Sequence, residues 1–528
     1  MRKDNPVKIR VPLVSIPRVR PVALLVGCAL TASVALQAAR AQAPAAEEGA
    51  ARPPSVWVEP SISAGATVSS NGGLSSGNTR DEQTLEISPG VRVVANTPRV
   101  RGYLDYNLRA LTYLQGTSDD DLRHRLNAQA TVNAWDQRLF VDLAGSIDDE
   151  LRSALGAPSS GSLSDANRSS NTSLRFSPYW RSRLGGSVDS EFRYALQSSN
   201  SEAADRADLM AQTLSASLSS IGSRDLLGWT ASALSQDVDY DLGRDTRSDS
   251  VQAGLIIVPD PRWRITLSAG RERNDIITLE PESYGNNAIA VDWQPSTRSR
   301  ALVEVQDRYF GTGHNVLLEH RGARTVWRYT DSRGQSNSGI AEGAVSLGSV
   351  YDLLDSLYSS LEPDPIRRAQ LVQAELQRLG LPADSQLLRN YQVSSATLDR
   401  RQQASVALVG RRSVITLAFS RSNSERLSAV QGLGDDFDQF SNIARQGWSL
   451  SAGHRLTPLT ALNASLSRER TTTNLVGFDT RVTAFTVGLA TRLAERTAAT
   501  LQFRRSVSDG GQSRYRDTSI AAAITHRF

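Results

Sequence analysis

From Val56 onward, apolar and polar residues exchange places at nearly every step, the period of two that a half-buried strand requires. In 122–134, Leu122, His124, Leu126, Ala128, Ala130, Val132 and Ala134 alternate with Arg123, Arg125, Asn127, Gln129, Thr131 and Asn133. In 183–194, Leu184, Val188, Phe192 and Tyr194 oppose Arg183, Ser187, Asp189, Glu191 and Arg193. In 262–272, Trp263, Ile265, Leu267 and Ala269 oppose Arg262, Arg264, Thr266, Ser268 and Glu272. The final stretch, Thr518 to Phe528, sets Ile520, Ala522, Ile524, His526 and Phe528 against Ser519, Ala523, Thr525 and Arg527. A strand that ends on a bare aromatic suits a barrel whose last strand closes on its first, with the ring at a lipid boundary.

The connections carry a second pattern. Short ones, such as 96–99, 135–138, 178–181, 259–262, 410–412 and 457–460, alternate with long polar ones, such as 69–82, 148–169, 236–248, 331–396 and 421–445; the brief link 310–313 is the exception. Tight turns on one side and long loops on the other are the asymmetry of outer-membrane barrels. The chain therefore reads as all-β: a transmembrane antiparallel outer-membrane β-barrel of about 22 strands (range 16–24), with both termini on the short-turn side. Strands of about ten residues suit a tilted crossing. One loop breaks the period. Val350, Leu353, Leu354, Leu357, Tyr358 and Leu361 fall at helical spacing. Asp364-Pro365 then opens a second helix whose stripe is Ile366, Ala369, Val372, Leu376 and Leu379, ended by Gly380 and Pro382. This helical hairpin, within the insertion 345–390 of the barrel 56–528, is expected in the lumen as a plug or constriction, as a cap on the mouth, or packed on the surface. The candidate plug residues are Leu354, Leu357, Leu361, Ile366, Val372, Leu376 and Leu379.

Composition changes the picture at the front end. Hydrophobic residues are 39% of 528 and the mean hydropathy is −0.33, which excludes a helical membrane bundle but not a barrel, whose apolar half is hidden by alternation. Residues 1–20 are basic, an apolar run follows from Val22 to Leu36, and small residues stand at Ala39 and Ala41. This reads as a secretory signal peptide, 1–41, cleaved after Ala41 and followed by a disordered Ala/Pro/Glu-rich lead-in, 42–55. Cys28 is the only cysteine and Lys3 and Lys8 the only lysines, so cleavage leaves a chain without thiol or Schiff-base chemistry. Leu25-Val26-Gly27-Cys28 resembles a lipobox, but the apolar run continues past it. Segment 1–41 has seven basic residues and one acid, net +6, which leaves −2 of the chain's +4 for the remainder, so the basic pI does not point to nucleic acid.

Candidate chemistry is sparse. Gly73-Leu74-Ser75-Ser76-Gly77 matches G-x-S-x-G, but lies in a Gly/Ser/Asn loop with no helix after it. His124, His314, His320, His454 and His526 show no metal-ligand spacing, and no cofactor or metal is expected. The acidic runs Asp119–Asp121, Asp148–Glu150 and Asp435–Asp438 read as solvated loop charge. The best functional hint is a lumen-facing set: Arg123, Arg125, Arg183, Asp189, Glu191, Arg193, Arg264, Glu272, Glu304, Arg308 and Arg504. Mixed signs suit either cross-strand ion pairs or a charged pore wall. Trp57, Tyr106, Trp229, Trp263, Trp293, Trp327 and Trp448 read as outward interfacial aromatics.

Ile87-Ser88-Pro89-Gly90-Val91, Tyr103-Leu104-Asp105-Tyr106-Asn107-Leu108, the Tyr329–Ser332 segment, Asp364-Pro365-Ile366-Arg367-Arg368 and the terminal Phe528 together resemble the outer-membrane proteins associated with the PEP-CTERM/exosortase system. The resemblance covers about 55–528. It implies an outer-membrane barrel linked to polysaccharide or protein export, and it supplies no catalytic residues. The expected partners are outer-membrane lipid and lipopolysaccharide, the barrel-assembly machinery (reading Ile524, His526 and Phe528 as its signal) and exopolysaccharide export components, with no nucleic acid. The leading expectation is a non-enzymatic pore or export component. A closed structural or adhesive surface barrel and an outer-membrane hydrolase are the alternatives.

Overall fold

The computed structural model describes residues 55–528 apart from 78, 117, 157–166, 204–205, 207, 221–225, 337–349, 360–361, 363–364, 380–389, 428–433 and 511–513. The leader with Cys28, the lead-in as far as Pro54, and Leu361, Asp364, Gly380 and Pro382 of the helical insertion lie outside the described residues.

Alternation becomes a ladder of 22 strands. They are β1 (Val56–Ser69), β2 (Glu82–Asn96), β3 (Val100–Tyr113), β4 (Asp121–Trp135), β5 (Leu139–Leu151), β6 (Arg168–Leu184), β7 (Val188–Ser201), β8 (Leu209–Ser220), β9 (Leu227–Tyr240), β10 (Thr246–Ile257) and β11 (Trp263–Asn274). After these come β12 (Glu282–Ser296), β13 (Ser299–Arg308), β14 (Gly311–Arg321), β15 (Thr325–Ser336), β16 (Thr397–Val409), β17 (Ser413–Arg426), β18 (Asn442–Arg455), β19 (Thr460–Thr473), β20 (Thr480–Ala494), β21 (Thr497–Gly510) and β22 (Tyr515–Arg527). Each pairs antiparallel with the next. The ring then closes: β1 pairs with β22 from Ser61↔Arg527 to Ser69↔Ser519, and the Phe528 N–H donates to the Pro60 carbonyl at 3.0 Å. Closure leaves no edge strand and satisfies every rung within the sheet, the condition for crossing hydrocarbon.

The short connections explain their own sequences. Asp136 and Gln137, with φ of 44° and 55°, are the central residues of the turn between β4 and β5, closed by Arg138 N–H donating to the Trp135 carbonyl, and Gly185 and Gly186, at 57° and 77°, begin the turn between β6 and β7. Positive φ at both central residues matches the right-handed twist of the flanking strands, and glycine takes it without strain.

All strands but β13, which has ten residues, are longer than expected, from 11 in β14 to 17 in β6. Their long-loop ends continue the ladder after apolar alternation has stopped, because a ladder needs only backbone hydrogen bonds and not an apolar face. The sequence reading therefore began the long loops too early: Asp148, Asp149 and Glu150 lie in β5, and Asp121 opens β4.

The two faces are inverted relative to a soluble protein. On β22, Ile520, Ile524 and Phe528 are more than half exposed outward, while Tyr515, Asp517 and Ser519 on the other face are buried. Register carries the outward face around the ring. One row of direct partners runs Ile415–Ala452–Ala464–Val487–Phe503–Ile520 across β17 to β22 and is wholly apolar. Trp229, Trp263, Trp293, Trp327 and Trp448 share this outward face, and Trp263 stacks on Trp293 at 5.2 Å. Trp57 is the exception to the sequence reading. It pairs with Val94, on the same face as Arg92, which points into the lumen. Alternation slips by one near the start of β1, where Val58 and Trp57 are both exposed at the rim.

Candidate functional site: a lumen crossed at two levels

A barrel of 22 strands is too wide for wall side chains alone to fill. Here the chain fills it in two places.

The first lies near the short-turn end. Helix α1 (Val350–Tyr358) and helix α2 (Pro365–Leu379) form the predicted hairpin, tied together by Arg368 Nε donating to Asp355 Oδ1 at 2.9 Å. Leu354, Val372, Leu376 and Leu379 are at most 1% exposed and pack with Val414. Leu357 packs on Val326 and Ala407, which are direct partners across β15 and β16. These wall residues face inward, since their neighbours Trp327, Leu408 and Ile415 are exposed outward. They also stand beside the tight turns 322–324 and 410–412. The hairpin, inserted in the chain between β15 and β16, thus sits inside the lumen near the short-turn end. Arg321 Nη1 donates to Ser359 Oγ at 2.5 Å, and Arg92 of β2, past β22 and β1 around the ring, donates to the Gln373 side-chain carbonyl. Of the candidate plug residues, Leu354, Leu357, Val372, Leu376 and Leu379 take part; Leu361 and the side chain of Ile366 lie outside the described residues.

The second crossing lies at the long-loop mouth, and nothing in the sequence reading foresaw it. Residues 390–396, leading into β16, run between opposite sides of the ring. On one side Gln392 N–H donates to the Leu151 carbonyl at 2.9 Å and Ser201 Oγ to Gln392 Oε1 at 3.1 Å. On the other, the Tyr391 ring lies 5.5 Å from the Arg445 guanidinium of β18. The loop between β17 and β18 packs beside it. Asp435 accepts from Ser394 N–H (2.8 Å), Ser395 Oγ (3.1 Å) and Phe437 N–H (2.9 Å). Asp436 accepts from Ala154 N–H at 2.7 Å. Ala154, Leu155, Phe437, Phe440 and Ile443 make the apolar centre, and Thr480 of β20 donates to the Leu155 carbonyl at 3.2 Å. Arg206 is 7% exposed and donates to the carbonyls of Gly434 and Arg152. The Asp435–Asp438 run is therefore not simply solvated charge. Asp435 is 5% exposed and Asp436 is half-buried; burial pushes the Asp436 carboxyl above its ordinary range, with the Ala154 N–H pulling it back.

Between the two crossings the wall is laced with ion pairs. Register places Arg123, Arg125, Arg183, Asp189, Glu191, Arg193, Arg264, Glu272, Glu304, Arg308 and Arg504 on the inward face. Arg308 meets Glu272 at 2.6 Å, and Glu272 also accepts from Tyr309 N–H at 2.9 Å. Arg193 bridges Asp142 (2.8 Å) and Glu191 (3.1 Å) with its guanidinium 4.0 Å from the centre of the Tyr179 ring. Arg183 meets Asp189 at 2.7 Å, Arg125 meets Asp148 at 3.3 Å, and Arg123 meets Asp121 at 2.5 Å. Arg264 lies opposite Asp292 in the ladder, Glu304 opposite Ala290 and Asn315, and Arg504 opposite Thr486 and Ser519. The sequence reading missed Glu86–Arg109 (2.6 Å), Asp292–Arg300 (2.8 Å) and Arg445–Glu469 (2.5 Å). The same alternation marks these residues as inward; what it lacks is the register that pairs them.

Among the described residues the histidines do not assemble a hydrolytic triad. His320, His454 and His526 each meet a hydroxyl, of Ser299 (2.8 Å), Ser413 (2.7 Å) and Thr497 (2.9 Å), outward and at the short-turn side. His314 is the one with a carboxylate, Asp331 at 2.9 Å, and that carboxylate is shared with Arg400 and Gln402. Hydroxyl and carboxylate thus go to different histidines. A cavity of about 500 Å³ between Trp293, Leu318, Trp327 and Phe419 opens on the outer face of the barrel, away from the lumen.

Comparison with known families and with curated proteins gives no match. Among solved structures the chain is similar to the siderophore receptor PirA from Pseudomonas aeruginosa, at 7% identity and a TM-score of 0.43 over 90% of this chain and 81% of that one. It is also similar to OccK2 (OpdF) from Pseudomonas aeruginosa, at 8% identity and a TM-score of 0.35 over 89% and 97%. A third is the FrpB iron transporter from Neisseria meningitidis (F5-1 variant, apoprotein form), at 9% identity and a TM-score of 0.37 over 89% and 81%. The assignment as a closed 22-stranded antiparallel β-barrel rests on the ladder of this chain itself.

Proposed function

We propose that this protein is a non-enzymatic outer-membrane channel whose lumen is kept shut by its own chain, serving export of extracellular polysaccharide or of protein. The observation that carries the reading is the hairpin of α1 and α2 seated on Val326, Ala407 and Val414 inside the barrel. A structural barrel needs no apolar helix pair in its lumen, whereas a channel of this width needs an obstruction when idle. In this reading the leader 1–41 is removed after Ala41, the short turns face the periplasm, and the barrel-assembly machinery reads Ile524, His526 and Phe528. The polysaccharide link rests on the family resemblance alone.

A permanently closed surface barrel is the second reading, and the mouth knotted by Arg206, Asp435 and Asp436 favours it. Conductance separates the two. Refolded 42–528 is expected to be nearly silent in a planar bilayer. Replacing 350–379 by a short Gly/Ser linker is expected to give brief openings, with the mouth still limiting flow. Silence from a variant loosened at both levels, with folding shown by heat-dependent gel mobility, would leave the closed barrel as the better account.

A further inference from the structure

Above the apolar row from Ile415 to Ile520, the outward face changes character on one side of the barrel. The next row of direct partners toward the long-loop end is Leu417–Leu450–Leu466–Phe485–Arg505–Thr518. The row after it is Phe419–Trp448–Arg468–Thr483–Val507–Arg516. The third is Arg421–Gln446–Arg470–Arg481–Asp509. Six arginines therefore share a sheet face with one aspartate, Asp509, in three consecutive rows. Arg470 is paired to Asp479 at 2.9 Å. Arg468, Arg481, Arg505 and Arg516 are exposed and make no ion pair among the described residues. Arg470 and Arg481 are direct cross-strand partners, an arrangement of like charges that weakens a ladder. On β9 and β10, by contrast, the outward Arg247 is held by Asp249 at 3.1 Å and Asp237 at 3.7 Å.

We infer that Arg468, Arg481, Arg505 and Arg516 form a binding site for a phosphate-bearing lipid headgroup in the leaflet at the long-loop side. The height is right for one. The site begins one residue pair above Leu466 on β19 and Phe503 on β21, and two above Ile520 on β22, where acyl chains give way to headgroups. The chemistry is right as well. Guanidinium is weakly hydrated and its fork matches two phosphate oxygens, so several arginines around one anion suit phosphate better than a single point charge would. Phe485 lies directly beside Arg505 and Trp448 directly beside Arg468, and both supply flat apolar surface for the top of the acyl chains. Basic side chains at a membrane surface attract anionic lipid, so four acting together favour an anionic phosphate headgroup over a zwitterionic phosphodiester by well over tenfold.

The inference rests on the membrane-barrel reading, so insertion is checked first, by co-flotation of the refolded protein with vesicles; a barrel that does not float contradicts that reading and no lipid is counted. The floated protein is then placed in nanodiscs of phosphatidylcholine with or without one-tenth phosphatidic acid, released, and its retained lipids weighed by native mass spectrometry. The wild type is expected to retain phosphatidic acid at least about tenfold above its share in the disc. The combined variant R468Q/R481Q/R505Q/R516Q is expected to retain it only in proportion to that share, and R247Q/R273Q, on β10 and β11, is expected to behave as wild type. Should the combined variant fail to insert, the lysine version R468K/R481K/R505K/R516K takes its place. It keeps the charge but loses the fork, and its retention is expected to fall between wild type and background. Equal enrichment in the wild type and the arginine-free variant, or none in the wild type, overturns the site.

Discussion

At the scale of single residues, the mouth shows how a few buried polar groups hold loops that have no secondary structure of their own. Arg206 satisfies two carbonyls, those of Gly434 and Arg152, from different loops. Arg206→Ala leaves both without that donor, at a cost of roughly 1–3 kcal/mol each if water does not replace it. The expected outcome is faster hydrogen exchange at the Ala154 and Ser394 amides with the barrel amides unchanged; unchanged exchange at the mouth would mean that Arg206 does not latch it. Asp436 adds a pH dependence of defined sign. Its carboxyl is pushed up by burial, so docking the loop takes up a proton relative to the free loop. Neutralising it by lowering the pH through its raised value stabilises the docked mouth, and raising the pH removes that contribution. In a barrel lacking the hairpin, conductance should therefore fall on acidification, and Asp436→Asn should flatten the profile. A profile of opposite slope would contradict the assignment.

At the scale of elements, the hairpin and the closing strand are held by opposite solvents. The hairpin buries Leu354, Leu376 and Leu379 against the inner wall, each contributing about 1.5–3 kcal/mol relative to exposure. Leu376→Asp places a charge in that contact, and the hairpin is expected to undock while the barrel stays closed. A bismaleimide joining cysteines at 92 and 373 would then lose most of its yield; an undiminished yield would show that the hairpin stays seated. The closing strand faces lipid instead. Ile524 stands near the middle of the apolar stretch of β22, and Ile524→Arg is expected to destabilise the barrel by about 2–4 kcal/mol, read as a lower urea midpoint in lipid. Alternation made both elements legible. Its period gave the strand, its switch to helical spacing gave the hairpin, and Asp364-Pro365 marked where the second helix starts. What it did not give was the seat of the hairpin. Amphipathic stripes on α1 and α2 require an apolar partner but do not name one, and Val326, Ala407 and Val414 become that partner only once β15, β16 and β17 are side by side.

At the scale of the whole molecule, the ring was readable because it is built from local rules repeated 22 times: period two, tight turns on one side, long loops on the other. The exceptions are places where the rule is diluted. Trp57 was read outward because alternation fades at the rim, and Asp148–Glu150 were read as loop because the ladder there continues without alternating apolar with polar. The mouth was illegible for a different reason. Leu151, Arg206, Tyr391, Asp435 and Thr480 come from five separate stretches of chain, and no spacing in sequence records that they meet. The same distribution has a functional consequence: two independent obstructions mean that neither deletion alone reports the size of the lumen. The most direct test is single-channel conductance of refolded 42–528 in four forms: intact, with 350–379 replaced by a linker, with Arg206→Ala and Asp435→Ala at the mouth, and with both changes. A channel held shut by its own chain predicts near silence from the intact protein, small or brief openings from each single form, and a large stable conductance only from the combined one. A folded combined form as silent as the intact protein would contradict the account.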